Sequence, residues 1–296
     1  RYHKIEDNTI AANDVICAGS DPVALTGSLP SAGSGLYTYI WQDSTSSGSW
    51  SDVGTAIAFD PPPLTDSTWY RRIVNSSVCA DTSSLVVINV HAAIENNIPR
   101  FISGAVDTTI CYGMVPNTIY GAVEPELTGG TDLPGDYAYQ WLISTDNETY
   151  SDITTSGTLA DYSPGPLTAT TWYKRRVISG ECMDEGSPVK IVVLPRITNN
   201  IVSQDQTVCY NTAPNTLTGP LPDGGDPELV TWVWEQSTDG GATWNTAPGI
   251  SNNQDYTPPA LTVETAYRRI VISGEYNCCI DTSAAVVVGI YDLPTA

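Results

Sequence analysis

Basic residues, methionine, phenylalanine and histidine are all scarce in this chain: 296 residues contain 12 Lys plus Arg, 2 Met, 2 Phe and 2 His. Against 33 Asp plus Glu the net charge is −21. Such a charge repels phosphate backbones and anionic lipid surfaces, which excludes nucleic acid as a partner. No run of 18 apolar residues is present, so no helix is expected to insert directly into a membrane. Few strong helix formers, set beside 24 Gly and 21 Pro, argue against long helices and for an all-β chain. The two histidines, His3 and His91, leave no recurring Ser-His-Asp or Cys-His grouping. Paired carboxylates fare no better, because Asp52 and Asp152 give way to Thr246 in the corresponding place. The expectation is a protein that is not an enzyme, with no catalytic residues and no cofactor.

What is abundant is aromatic: 16 Tyr and 8 Trp, enough to build ordered cores. One pattern is written three times. Cys17, Pro22, Leu25 and Gly27 recur as Cys111, Pro116, Ile119 and Gly121, and again as Cys209, Pro214, Leu217 and Gly219. Leu64-Thr65-x-x-Thr68-Trp69-Tyr70-Arg71-Arg72 returns as Leu167 to Arg175 and as Leu261 to Arg269. Each is followed by a Cys-x-Asp, at Cys79, Cys182 and Cys279. The joints repeat as well: Ile5-Glu6-Asp7-Asn8, Ile94-Glu95-Asn96-Asn97 and Ile197-Thr198-Asn199-Asn200. These spacings predict three domains, 1–95, 96–199 and 200–296, with very short linkers and an excess of acids in every unit. The flanking residues align with pieces of further copies, so both ends are expected to be cut within a longer array.

Within a unit the apolar period is two, and roughly seven short runs separated by turns suggest a Greek-key sandwich. In the central strand Tyr37, Tyr39 and Trp41 share a face, as do Tyr137, Tyr139 and Trp141, and Val230, Trp232 and Trp234. The hairpin Ser237 to Trp244 matches an Asp-box pattern, read as a structural staple. The Leu-Thr-x-x-Thr-x-Tyr spacing, with Tyr70, Tyr173 and Tyr267, resembles the tyrosine corner of immunoglobulin and fibronectin-type sandwiches, which implies phenols that tie a loop to a strand. Tyr70, Arg72 and Val74 lie on one face of their strand. Arg72, Arg175 and Arg269 are therefore expected to point inward, stacked on Trp41, Trp141 and Trp234 and charge-paired with an acid such as the Cys-x-Asp aspartate. An arginine in water at a sheet edge is the alternative.

Seven cysteines fall one per motif, plus one. The economical pairing is within units: Cys17 with Cys79, Cys111 with Cys182, and Cys209 with Cys279 or its neighbour Cys278. Each bridge would clamp an N-terminal strand to the turn before the last strand, at roughly 4 kcal/mol in the chain-entropy argument, and would place the protein in an oxidising compartment. Zinc would need four ligands per unit, and none gather. Calcium at the joints is possible through Glu6-Asp7-Asn8 and Glu95-Asn96-Asn97. Lys-to-Asn isopeptide staples are excluded as a general device because the third unit has no lysine.

Taken together, Cys...Pro...Leu-x-Gly, Tyr-x-Trp, Leu-Thr-x-x-Thr-Trp-Tyr-Arg-Arg, Cys-x-Asp and Ser-x-Val-x-Ile resemble the tandem Ig-like or PKD-like repeats of large Bacteroidota surface proteins. That resemblance implies three tandem immunoglobulin-like Greek-key β-sandwich domains in an elongated array. It further implies an extracellular, cell-surface stalk of an adhesin of the gliding-motility type, exported by the type IX system, with neighbouring repeats of the same polypeptide as partners. The rivals are a subunit that self-assembles into an extracellular filament, and a carbohydrate-binding module that stacks surface glycans on Trp50, Trp69, Trp172 and Trp244.

Overall fold

The computed structural model describes residues 3–10, 14–45, 48–131, 133, 135–275 and 279–291. Among them there is no α-helix, and the chain is all-β, in three repeated β-sandwich units. The first unit contains β1 (Ile5–Glu6), β2 (Asp14–Cys17), β3 (Ser31–Ala32), β4 (Thr38–Ser44), β5 (Ser51–Gly54), β6 (Thr68–Ser76), β7 (Cys79–Thr82) and β8 (Val86–Glu95). The second contains β9 (Asp107–Cys111), β10 (Thr128–Gly130), β11 (Ala138–Ser144), β12 (Ser151–Asp152), β13 (Thr171–Ser179), β14 (Cys182–Glu185) and β15 (Val189–Leu194). The third contains β16 (Gln206–Cys209), β17 (Val230–Ser237), β18 (Asn245–Thr246), β19 (Thr265–Ser273), β20 (Cys279–Thr282) and β21 (Val286–Tyr291).

Each unit has one well-formed sheet. In the first its order is β5-β4-β6-β8, with β2 parallel to β8 and β7 antiparallel to the far half of β6. The second and third repeat it as β12-β11-β13-β15-β9 and β18-β17-β19-β21-β16. The opposing layer is sparse. It consists of extended segments joined by single bridges, Ile10 to Gly27 and Leu25 to Phe59 in the first unit, with Ile119 to Tyr162 and Leu217 to Tyr256 in the others.

Alternation decides which side chains face the gap between layers. On β6 every second residue is buried: Thr68, Tyr70, Arg72, Val74 and Ser76. The core proper is an aromatic trio repeated per unit: Trp41, Phe59, Tyr70; Trp141, Tyr162, Tyr173; Trp234, Tyr256, Tyr267. Neighbouring ring centroids lie 5.4 to 6.1 Å apart, within the range of favourable aromatic pairs. The tryptophan nitrogens each donate to a carbonyl, of Ala56, Leu159 and Asn253. Among the described residues the tyrosine phenols find no partner that would make the corner's hydrogen bond. Among the described residues Tyr70, Tyr173 and Tyr267 serve as packed rings, and the buried Tyr267 hydroxyl has no partner.

The first and second units share a strand at their joint. β8 crosses directly out of the first sheet and pairs with β10, Glu95 opposite Thr128 and Ala92 opposite Gly130. In the same place of the first unit β1 pairs with β3, and Thr198 pairs with Asp223 in the third. Ile94 then packs with Ala122, Leu127 and Val177, and Ile197 with Val271, as small apolar clusters between sheets.

Candidate functional site: buried arginines and bridged joints

Two constellations recur, and both arise from the strand equivalent to β6. The first is the arginine. Arg72, Arg175 and Arg269 are fully buried, because their positions lie between the core tyrosine and the joint-facing valine on the inward side. In the second unit Arg175 Nε donates to Asn97 Oδ1 at 2.9 Å, Nη1 to the Ala160 carbonyl at 3.1 Å and Nη2 to the Ala122 carbonyl at 2.7 Å. Arg72 reaches Asn8 and the carbonyls of Ile57, Ser28 and Thr9. Arg269 reaches Asn200 and the carbonyls of Gln254, Pro220 and Ile201. One guanidinium thus gathers the segments of the sparse layer and holds them to the sheet, supplying donors that a regular strand ladder would otherwise provide.

The expected ion pair does not form. Among the described residues the Cys-x-Asp aspartates meet the arginine only through asparagine: Asn97 Nδ2 donates to the Arg175 carbonyl at 2.8 Å and to Asp184 Oδ2 at 3.0 Å. Asn8 and Asn200 do the same with Asp81 and Asp281. The register explains it, since Asp184 stands opposite Val177, two residues beyond the arginine. Burial pushes each guanidinium pKa below its ordinary value, with Tyr39 opposing at Arg72, Tyr139 and Asp161 at Arg175, and Asp255 at Arg269. An arginine starts so high that it remains charged. The stack on the strand tryptophan holds only for Trp41, 5.8 Å from Arg72; Tyr39 and Tyr139 lie closer to Arg72 and Arg175, at 5.4 and 4.9 Å.

Sequence reasoning missed Asn8, Asn97 and Asn200 as arginine partners. Their signal was the fixed third place after the joint isoleucine. The side-chain oxygens of Asn8 and Asn97, two of the groups named above for calcium, accept from Arg72 and Arg175, and that of Asn200 accepts from Arg269. Among the described residues no group of three or more His, Cys, Asp or Glu gathers as a metal site. Gly27, Gly121 and Gly219 were in the motif without a reason. A Cβ on Gly27 or Gly121 would collide with the arginine Nη1, and on Gly219 with the Ile201 carbonyl.

The second constellation is the bridges. The intradomain pairing is overturned: Cys17 bonds Cys182, and Cys111 bonds Cys279, each across a joint. Cys79 and Cys209, expected in bridges of their own units, are free. Parallel pairing is the reason. β2 sets Cys17 opposite His91 on β8, three residues before the joint isoleucine, and β9 sets Cys111 opposite Leu194 in the same relation to Ile197. That strand carries straight into the next unit, where β14 brings Cys182 beside it, its Sγ 3.3 Å from the Ala92 carbonyl. The separations of Cα atoms, 4.9 and 5.4 Å, suit a bridge. Cys278 lies outside the described residues.

Around the hairpins the outward basic residues cover aromatic faces: Arg71 lies 4.0 Å from the Trp50 ring centre, Lys174 4.4 Å from Tyr150 and Arg268 4.2 Å from Trp244. Trp69 and Trp172 are half-buried, with Lys190 5.5 Å from Trp172. The Asp box is a staple: Asp239 accepts from the Thr243 amide and hydroxyl and from Ser237. Those donors, Thr243 foremost, hold its carboxyl down to about 2.

Three solved structures illustrate what the chain is similar to. Chicken CNTN1 domains FN1–FN3 share 13% identity over 96% of this chain and 98% of that one, with a TM-score of 0.32. Titin domains A168–A170 share 12% over 95% and 97%, at 0.37, and Sidekick-1 immunoglobulin domains 1–5 share 12% over 95% and 57%, at 0.26. Curated proteins yield no match. A model of a domain of unknown function, DUF8696, matches residues 6–92, 102–195 and 198–292. With one match on each of three units that repeat the same arginine, asparagine and cysteine positions, the chain belongs to the DUF8696 family.

Proposed function

We propose that this chain is a non-enzymatic extracellular stalk segment of a large bacterial surface protein of the adhesin type, which holds an adhesive region away from the cell. The observation that carries the reading is the pair of overlapping bridges, Cys17 to Cys182 and Cys111 to Cys279. A disulfide that spans a joint does little for the chemistry of a pocket; it prevents neighbouring domains from separating or unravelling under load. Each closes a loop long enough to contribute on the order of 5 kcal/mol in the chain-entropy argument. Disulfides persist in oxidising compartments, which supports an exported location, and no helix among the described residues is long and apolar enough to cross a membrane. Repeat units stacked through nearest-neighbour contacts form a one-dimensional scaffold whose ends and surface, rather than interior, meet other molecules.

Single-molecule pulling tests this. With both bridges closed, the shortest covalent route from Cys17 to Cys279 runs through the stretch between Cys111 and Cys182, 71 positions apart in sequence. With a reductant present the route is the whole intervening chain, longer by about 650 Å at roughly 3.5 Å per residue. Equal extension in the two conditions would overturn the mechanical reading.

A further inference from the structure

The two cysteines that are free among the described residues, Cys79 and Cys209, are not equivalent to each other; each is equivalent to one half of a bridge. Cys79 occupies the place of Cys182 and Cys279: all three follow the turn after the arginine strand, opposite Ser76, Ser179 and Ser273. Cys209 occupies the place of Cys17 and Cys111. It ends β16, parallel to β21 and opposite Tyr291, as Cys17 is opposite His91 and Cys111 opposite Leu194.

The surroundings of Cys79 already match those of its bridged counterpart. In the second unit Cys182 lies over the Ala92 carbonyl, two residues before the joint isoleucine. In the first, Cys79 Sγ lies 3.9 Å from the His3 carbonyl, two residues before Ile5. Ile5 is buried and β1 is paired on β3 just as the end of β8 is paired on β10. Cys79 is half-buried where its bridged counterparts Cys182 and Cys279 are buried, and Cys209 is exposed where Cys111 is buried and Cys17 half-buried. A thiol that is covered when bridged and open when not marks a face that a further unit covers.

We propose that Cys79 and Cys209 are complementary halves of one more inter-unit disulfide, and that the partner is another copy of this repeat, docked third unit to first. In a longer array that copy is the adjoining repeat; between separate chains, Cys209 of one bonds Cys79 of the other. The oxidant is a low-molecular-weight disulfide. One cysteine thiolate attacks it, releasing one small thiol and leaving a mixed disulfide; the second cysteine thiolate attacks that, forming the inter-chain bond and releasing the second small thiol. Two protein thiols lose two protons and two electrons, and the small disulfide is reduced to two thiols. The proposal stands apart from the stalk reading, whose pulling experiment uses the bridges already present.

The test uses the full chain carrying Cys278→Ser, so that cross-links report on Cys79 and Cys209, and either Cys79→Ser or Cys209→Ser. Each variant keeps one half-site and is incubated with oxidised glutathione, alone and mixed. Mixing should give a species of twice the chain mass on a non-reducing gel, with a peptide joining Cys209 to Cys79 by mass spectrometry. Cys278→Ser alone should give a ladder of multiples, lost when both half-sites are replaced. A mixture that yields no more dimer than either variant alone, or in which Cys79–Cys79 or Cys209–Cys209 peptides predominate, overturns the proposal.

Discussion

Gly121 bears no side chain because Arg175 occupies the space where one would go. The motif glycine and the motif arginine, some fifty residues apart in sequence, are one device: the backbone approaches so that carbonyls of the sparse layer come within reach of a buried guanidinium. Gly121→Ala must displace either Arg175 or the Ala160 carbonyl, and overpacking of this kind costs about 1 to 3 kcal/mol. Arg175→Ala leaves Asn97 and two carbonyls without their donors and should cost on the order of 3 to 5 kcal/mol, as loss of one member of a buried charged network does. Chemical denaturation of the full chain measures both, and an unchanged midpoint for Arg175→Ala would contradict its structural role.

At the scale of elements, each joint turns through one residue of positive φ: Asp7, Asn96 and Asn199, at 61°, 63° and 60°. Short polar side chains tolerate that left-handed region, whereas β-branched ones do not. The turn delivers the next asparagine to its arginine. Asn96→Gly should therefore leave the midpoint of thermal unfolding nearly unchanged, while Asn96→Val should lower stability by about 1 to 2 kcal/mol. Equal effects would show that the backbone conformation at the joint carries no cost. The arginine strands themselves read cleanly from alternation, and Tyr, Arg and Val face inward in all three units as their identity across copies suggested. The second layer did not read as strands because its segments are held by single bridges and by side chains, which leave no period-two signature.

Across the whole molecule the units should respond together to alkali. Burial, aided by the charge of Asp43, raises the Tyr70 phenol to about 12, and burial raises Tyr173 and Tyr267 as well, each with a smaller push from the neighbouring Tyr162 or Tyr256. A phenol with a folded pKa above its unfolded value of 10.0 favours the fold fully below that value. Its contribution falls away as pH rises toward 12 and the unfolded chain ionises first. Stability should thus be flat through neutral pH and decline between pH 10 and 12, with phenolate absorbance rising together with loss of tertiary structure. Ionisation of these tyrosines near 10 in the intact protein would contradict their burial.

Repetition and alternation determined a great deal by themselves: three all-β units, the aromatic core face, the inward arginine and the structural Asp box follow from residue spacing because strand geometry has a fixed period. The partners of those residues did not follow. Cys17 lies 165 positions from Cys182 and far nearer Cys79 in sequence, yet the same Cys-x-Asp recurs in both units, so the repeat alone does not choose between the pairings. Only the parallel seat of β2 on β8, a strand that runs on into the second unit, placed Cys17 beside Cys182. Likewise the joint asparagine recurs at a fixed place, but only the turn at Asn96 sets Asn97 against Arg175. Contacts between segments remote in sequence depend on how sheets sit against one another, and periodicity within a segment carries no information about that.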